Sequence, residues 1–170
     1  METQNKEPFF ELGKNALEAL VDYVKSLSPS AVFVLTDSHT EKACYPLLEE
    51  KCDHIALSQL SFEAGEARKN LETCVSLWQQ LTQMGADRKS VLINLGGGVT
   101  TDMGGFIAAT FKRGVRFIQV PTSLLAMVDA SIGGKTGIDF NGAKNQIGTF
   151  TEPSGIFIYP GFLPSTHSFR

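Results

Sequence analysis

Apolar and polar residues are grouped along this chain in short blocks whose period changes from one block to the next. In "NALEALVDYVKSL" the residues Ala16, Leu17, Leu20, Val21 and Val24 recur at three- and four-residue spacing, which predicts a helix with one inward stripe. "SAVFVLTD" is a continuous apolar run, the pattern of a strand buried on both faces. "TEKACYPLLEEK" reads as helical, with Pro46 tolerated only near a first turn or at a kink. "HIALS" predicts a short strand. "GEARKNLETCVSLWQQLTQMG" predicts a long amphipathic helix, with Leu71, Cys74, Val75, Trp78 and Leu81 inward and Gly85 as its stop. "SVLINLG" is the next strand, "VTTDMGGFIAATFK" the next helix and "VRFIQVPT" another strand. This alternation predicts an α/β fold: a doubly wound, mainly parallel sheet with helices on both faces. Such sheets take their ligands beyond the carboxyl ends of the strands.

Composition narrows this reading. The chain has 170 residues, 42% hydrophobic and 19% charged, enough for one domain with a real core. A net charge of −3 argues against a general nucleic-acid or membrane-surface binder. No apolar run reaches bilayer length, and "METQNKEPFF" lacks the basic-then-apolar order of a signal peptide, so a cytoplasmic location is expected. Cys44, Cys52 and Cys74 show no CxxC spacing and are expected to be free thiols in core positions.

The candidate chemistry lies in glycine clusters. "NLGGGVTTDMGG", Asn94 to Gly105, follows a predicted strand and opens a predicted helix. A helix start presents unpaired N–H groups and partial positive charge, and missing side chains let an anion's oxygens reach them. A tight turn with close helix–sheet packing explains one glycine, whereas three favour a ligand such as a pyrophosphate. The spacing is not GxGxxG. The second cluster, "DASIGGKTG", is not a GxxxxGK[ST] loop, because Asp129 stands where glycine is required and a helical segment precedes it. It leaves a mobile, glycine-flanked Lys135 near a carboxylate, suited to a phosphate or carboxylate as a point charge. "NGAKNQIGTF" adds Lys144 and Asn145.

The block from Gly96 to Phe150, "GGGVTTDMGGFIAATFKRGVRFIQVPTSLLAMVDASIGGKTGIDFNGAKNQIGTF", resembles the amino-terminal domain of the 3-dehydroquinate synthase family, and "FEAGEARKNLETCVSLWQQLTQMGADRKSVLINLGGG" resembles the segment before it. The resemblance runs from Ala31 to Leu163. It implies a Rossmann-like domain that binds NAD, followed in the family by a helical domain carrying a divalent metal, zinc or cobalt. It also implies conversion of 3-deoxy-D-arabino-heptulosonate 7-phosphate to 3-dehydroquinate and phosphate. In that reaction a carbinol is oxidised, phosphate is eliminated, the ketone is reduced again, and ring opening and aldol closure follow. NAD is regenerated, so the net reaction is that of a lyase.

The resemblance also assigns roles. Asp37 resembles the carboxylate that bonds the adenosine ribose, favouring NAD over NADP, with His39 where the family often has asparagine. Glu66 and Lys69 resemble the pair at the ribose and nicotinamide end, and their spacing predicts a shared helical face. Gly97, Gly98 and Val99 lie where the family's main chain meets the pyrophosphate, and Asp102 resembles a residue near the nicotinamide. Thr122 and Ser123 offer hydroxyls to the cofactor, Lys144 resembles a lysine on the cofactor side, and Phe162 and Ser165 are further cofactor contacts. Asp129, Lys135 and Asn145 resemble substrate contacts. Arg113 resembles the arginine that crosses a homodimer interface to the neighbour's substrate phosphate.

The family's metal ligands, one glutamate and two histidines, all come after the point where this chain stops. His39, His54 and His167 lack HxxE or HExxH spacing, so no metal ligand is expected here. The chain is expected to be the nucleotide-binding half, residues 1–170, without measurable cyclisation on its own. Other readings stay open: a related sugar-phosphate cyclase, or a nucleotide-binding module without catalysis. A polyol dehydrogenase fits less well, since that branch usually has lysine after its triple glycine and Val99 stands here.

Overall fold

The structure, a computed structural model, describes residues 7–164. Strands β1 (Phe9–Leu12), β2 (Val32–Asp37), β3 (Leu57–Phe62), β4 (Val91–Gly96), β5 (Arg116–Pro121) and β8 (Gly155–Ile158) form one sheet in the order β1-β8-β5-β4-β2-β3. Every pairing in it is parallel. Between β5 and β8 the chain forms a separate antiparallel hairpin, β6 (Lys135–Phe140) and β7 (Ala143–Phe150). Helices α1 (Ala16–Leu27), α2 (Thr40–Ala43) and α3 (Tyr45–Lys51) cover one face of the sheet. Helices α4 (Leu71–Gln83) and α5 (Gly98–Thr110) cover the other.

The two-sided burial follows from strand periodicity. Val32 and Val34 of β2 face Leu17, Leu20 and Leu48, whereas Phe33 and Leu35 face Leu77, Leu81 and Phe106. Cys44, Cys52 and Cys74 are buried free thiols within these two layers. Burial pushes Cys44 and Cys74 up to about 12 and Cys52 up to about 11.

Several predicted elements change on folding. The helix expected from Gly65 onward is interrupted. Glu66–Arg68 make one 3-10 turn, and Asn70 then caps α4 by accepting the Thr73 N–H at 2.9 Å. Glu66 and Lys69 therefore do not share a helical face: Glu66 is exposed and Lys69 is 4% exposed. The inward stripe of α4 is Cys74, Leu77 and Leu81, whereas Leu71 and Val75 face outward. The strand expected at "HIALS" lies further on, where Leu60 and Phe62 alternate inward as suits an edge strand. Pro46 sits in the first turn of α3, and the predicted single helix breaks at Cys44.

The segment from Lys135 to Phe150 is an ordered hairpin rather than a loop around a mobile lysine. Asn141 and Gly142, at φ 52° and 79°, form the two-residue turn between the paired residues Phe140 and Ala143. The hairpin leans on α5, where a side chain on Gly105 would collide with Thr136. Leu124, Leu125 and Val128 before it and Phe150 at its end are exposed. Among the described residues no helix is long and apolar enough to cross a membrane.

Candidate functional site

From β2 the chain turns outward to β3, then crosses back to β4 and continues the other way. The winding therefore reverses between β2 and β4. Their pairing ends at Leu35 and Asn94, although β2 runs to Asp37 and β4 to Gly96. The carboxyl ends splay into a crevice at the place where open α/β sheets hold ligands. Asp37 stands on its rim. One of its oxygens accepts the N–H groups of His39 and Thr40, both at 2.9 Å, and the other accepts Thr100 Oγ1 from α5 at 3.4 Å. His39 precedes α2 and is exposed.

The glycines opening α5 have different causes. A side chain on Gly96 would collide with Thr100, so this glycine lets helix and strand pack. Gly97 has φ −78°, and Cβ atoms added at Gly97 and Gly98 would meet only Ser123 Oγ at 3.4 Å and Ala130 Cβ at 3.7 Å. These are ordinary contacts, so nothing among the described residues requires glycine at either position. Val99 is half-buried beside the core. Thr122 donates its N–H to Gly96 O at 2.9 Å, and its fully buried hydroxyl has no hydrogen-bond partner among the described residues. Ser123 lies beside it, half-buried.

The underside of α5 is fixed by two buried amides. Asn94 Nδ2 donates to Gln119 Oε1 at 3.0 Å, and Gln119 Nε2 donates to Thr101 O at 3.0 Å. The carbonyl end fixes the direction of both side chains, because only an N–H can meet it. Asn94 Oδ1, against Gly104, has no partner among the described residues. Sequence reading missed this pair, since amides inside an apolar strand give no sign of their partners.

Lys69 gathers residues from two distant segments. Its Nζ donates to Asp102 Oδ2 and to Asn145 Oδ1, both at 2.7 Å. The side chain of Lys69 is 5% exposed and that of Asp102 is 22% exposed, so the ion pair is shielded. Burial raises the Asp102 carboxyl above its ordinary range, Lys69 opposes that rise, and the charges of Glu66 and Asp129 add to it. Glu66 pairs with Lys144 at 3.3 Å on the exposed side of the same cluster. Asp129 lies in a π-helical turn, Ala126–Ala130, beside the crevice. Lys135 begins β6 and is exposed.

Arg113 lies apart from these groups. It follows α5, whose thirteen residues place it roughly 20 Å from Gly98. The ring of Phe162 is 1% exposed and packs edge-on against Tyr159 within the core. Ser165 lies outside the described residues. Asp139 was not singled out from the sequence, although the Asn-Gly turn beside it marks a hairpin.

A parallel sheet wound both ways from β2, with a bare helix start at the reversal, defines this chain as a Rossmann-like α/β domain. Residues 59–169 match the 3-dehydroquinate synthase N-terminal family. The chain belongs to the 3-dehydroquinate synthase family. It is 46% identical over 150 residues to the 3-dehydroquinate synthase of Parabacteroides distasonis, an alignment covering 88% of this chain and 42% of that protein. The chain thus spans less than half the length of that relative. A solved structure of 2-deoxy-scyllo-inosose synthase, complexed with carbaglucose-6-phosphate, NAD+ and Co2+, superposes with a TM-score of 0.84 at 27% identity, covering 91% of this chain and 43% of that one. The 2-epi-5-epi-valiolone synthase of Streptomyces hygroscopicus, with NAD+ and Zn2+ bound, gives 0.80 at 27% identity, covering 96% and 46%.

Proposed function

We propose that this chain is the NAD-binding unit, residues 1–170, of an enzyme that converts 3-deoxy-D-arabino-heptulosonate 7-phosphate to 3-dehydroquinate and phosphate, a carbon–oxygen lyase. The observation that carries the reading is the pair Gly97 and Gly98. Both have space for a side chain as far as the protein is concerned, and both lie at the helix start facing the crevice. Bare backbone there suits an anionic ligand. The orphaned Thr122 hydroxyl beside Gly96 is a second sign of an absent polar partner. NAD suits this donor set. The N–H groups of Gly97, Gly98 and Val99 would take the pyrophosphate. Asp37, with His39 beside it, would take the ribose. Thr122 and Ser123 would supply hydroxyls, and Lys69 and Asp102 would lie toward the nicotinamide.

When bound, NAD supplies reversible hydride acceptance from the substrate carbinol. The chain's own residues hold and orient. Lys69 uses two of its three N–H donors on Asp102 and Asn145 and keeps one for a ligand oxygen. Asp129, Lys135 and Asn145 would hold the substrate, Glu66 would keep Lys144 at the cofactor side, and Arg113 would serve a second copy's site. Among the described residues no group of three His, Cys, Asp or Glu could hold a metal ion.

Isothermal titration with NAD and with ADP-ribose tests the reading. Binding by the chain, weakened about tenfold or more in Gly98→Ala while the melting temperature holds, is the expected outcome. Wild-type chain that ignores both ligands, or a variant that binds equally well, would overturn it. A sister sugar-phosphate cyclase is the second reading, supported by the TM-scores of 0.84 and 0.80. Turnover by the whole enzyme of the heptulosonate phosphate, set against a hexose 6-phosphate, separates the two.

A further inference from the structure

β6 and β7 do not pair evenly. Ile138 faces Ile147 and Phe140 faces Ala143, so the single residue Asp139 lies opposite residues 144–146. The irregularity frees the Asp139 main chain from the ladder, and its N–H donates instead to Lys69 O at 2.9 Å. On β7 the surplus residues let Asn145 adopt φ 53°, a left-handed conformation. Asp139 Oδ1 accepts the Asn145 N–H at 2.9 Å. Asn145 Oδ1 in turn accepts Lys69 Nζ at 2.7 Å. The three residues close a ring in which each donates one hydrogen bond and accepts one.

The geometry points to Asp139 as a positioning residue for the proposed site: its carboxylate holds the Asn145 main chain so that the amide oxygen stays on Lys69 and the amide nitrogen is left for a ligand acceptor. Asp139 itself touches neither ligand. It fixes two groups that do, Lys69 through the main chain and Asn145 through its N–H. Bulges beside sites re-aim side chains in this way. A neutral amide oxygen can accept the same N–H, so asparagine at this position would preserve the ring and alanine would open it.

This inference rests on the NAD reading above, and its test separates the two. Asp139→Ala and Asp139→Asn are compared with wild type by NAD titration, thermal melting and the NMR signal of the Asn145 amide. The wild-type Asn145 amide should lie downfield and exchange slowly. Asp139→Asn should keep slow exchange and wild-type NAD affinity. Asp139→Ala should exchange fast and bind NAD about fivefold more weakly, an effect of one partly exposed, charge-assisted hydrogen bond. Unchanged affinity and an unshifted Asn145 amide in Asp139→Ala, with NAD bound by wild type, would overturn the role of Asp139. Failure of wild type to bind NAD would overturn the proposed function instead. If the alanine variant unfolds, a wild-type Asn145 amide that exchanges as fast as an open-chain amide overturns the inference by itself.

Discussion

Gly104 lies so close to Asn94 that a Cβ on the helix residue would overlap the amide oxygen of the strand residue. Asn94 cannot swing aside without releasing Gln119, which in turn holds Thr101 O. Helix α5 is thus seated on the sheet by a missing side chain and an amide relay, and its first turn is placed over the crevice.

Gly104→Ala should therefore lower stability by about 1–3 kcal/mol, despite the roughly 1 kcal/mol that alanine gains over glycine in a helix. Urea denaturation checks this, with Gly98→Ala, which meets no such overlap, as the control whose midpoint should not fall. A fall in the midpoint with unchanged slope is expected for Gly104→Ala.

Gln119→Leu should cost about 1–3 kcal/mol, because it leaves the Asn94 amide donor without an acceptor in a dry layer. Since Thr101 lies in the first turns of α5, NAD affinity should fall as well. Paired denaturation and titration curves would show both losses.

Lys69 and Asp102 should act as a unit. Burial raises the Asp102 carboxyl and Lys69 opposes that rise. A raised folded value means that the contribution of Asp102 to stability is fully present below its ordinary 3.8 and is lost as pH rises through the folded value. In Lys69→Met the opposition is gone, the folded value climbs further, and the loss extends over a wider range toward neutrality. Unfolding free energies measured from pH 3.5 to 8 should decline more in that variant than in wild type, and the Asp102 carboxyl carbon should titrate higher by NMR. The double variant Lys69→Met, Asp102→Leu should regain most of the stability that Asp102→Ala alone loses, about 3 kcal/mol.

The thiols should be silent in the folded protein. With Cys44 and Cys74 pushed up to about 12 and Cys52 to about 11, thiolate is scarce at pH 8 and the sulfurs are buried. Mass spectrometry after brief iodoacetamide treatment should find no modification until denaturant is added.

Arg113→Ala should leave NAD affinity unchanged, because Arg113 lies at the far end of α5 from the glycines. If it serves a neighbouring copy, activity of the whole enzyme should return when this variant is mixed with an Asp129 variant. No complementation would rule that out.

The sequence by itself determined the alternation of strands and helices, the two-sided burial of β2 and β4, and the position of the glycine run at a strand's end. These depend on periods and turn residues read within a few positions, since a strand buried on both faces must be apolar throughout and a bare helix start needs only its own residues. Tertiary structure alone decided which glycine serves packing and which leaves room, that Lys69 meets Asp102 and an Asn145 76 residues away, and that Asp139 closes the ring. A side chain's hydrogen-bonding capacity is written in its type. Its partner is set by which remote segment the packed core brings within 3 Å, and no local pattern encodes that.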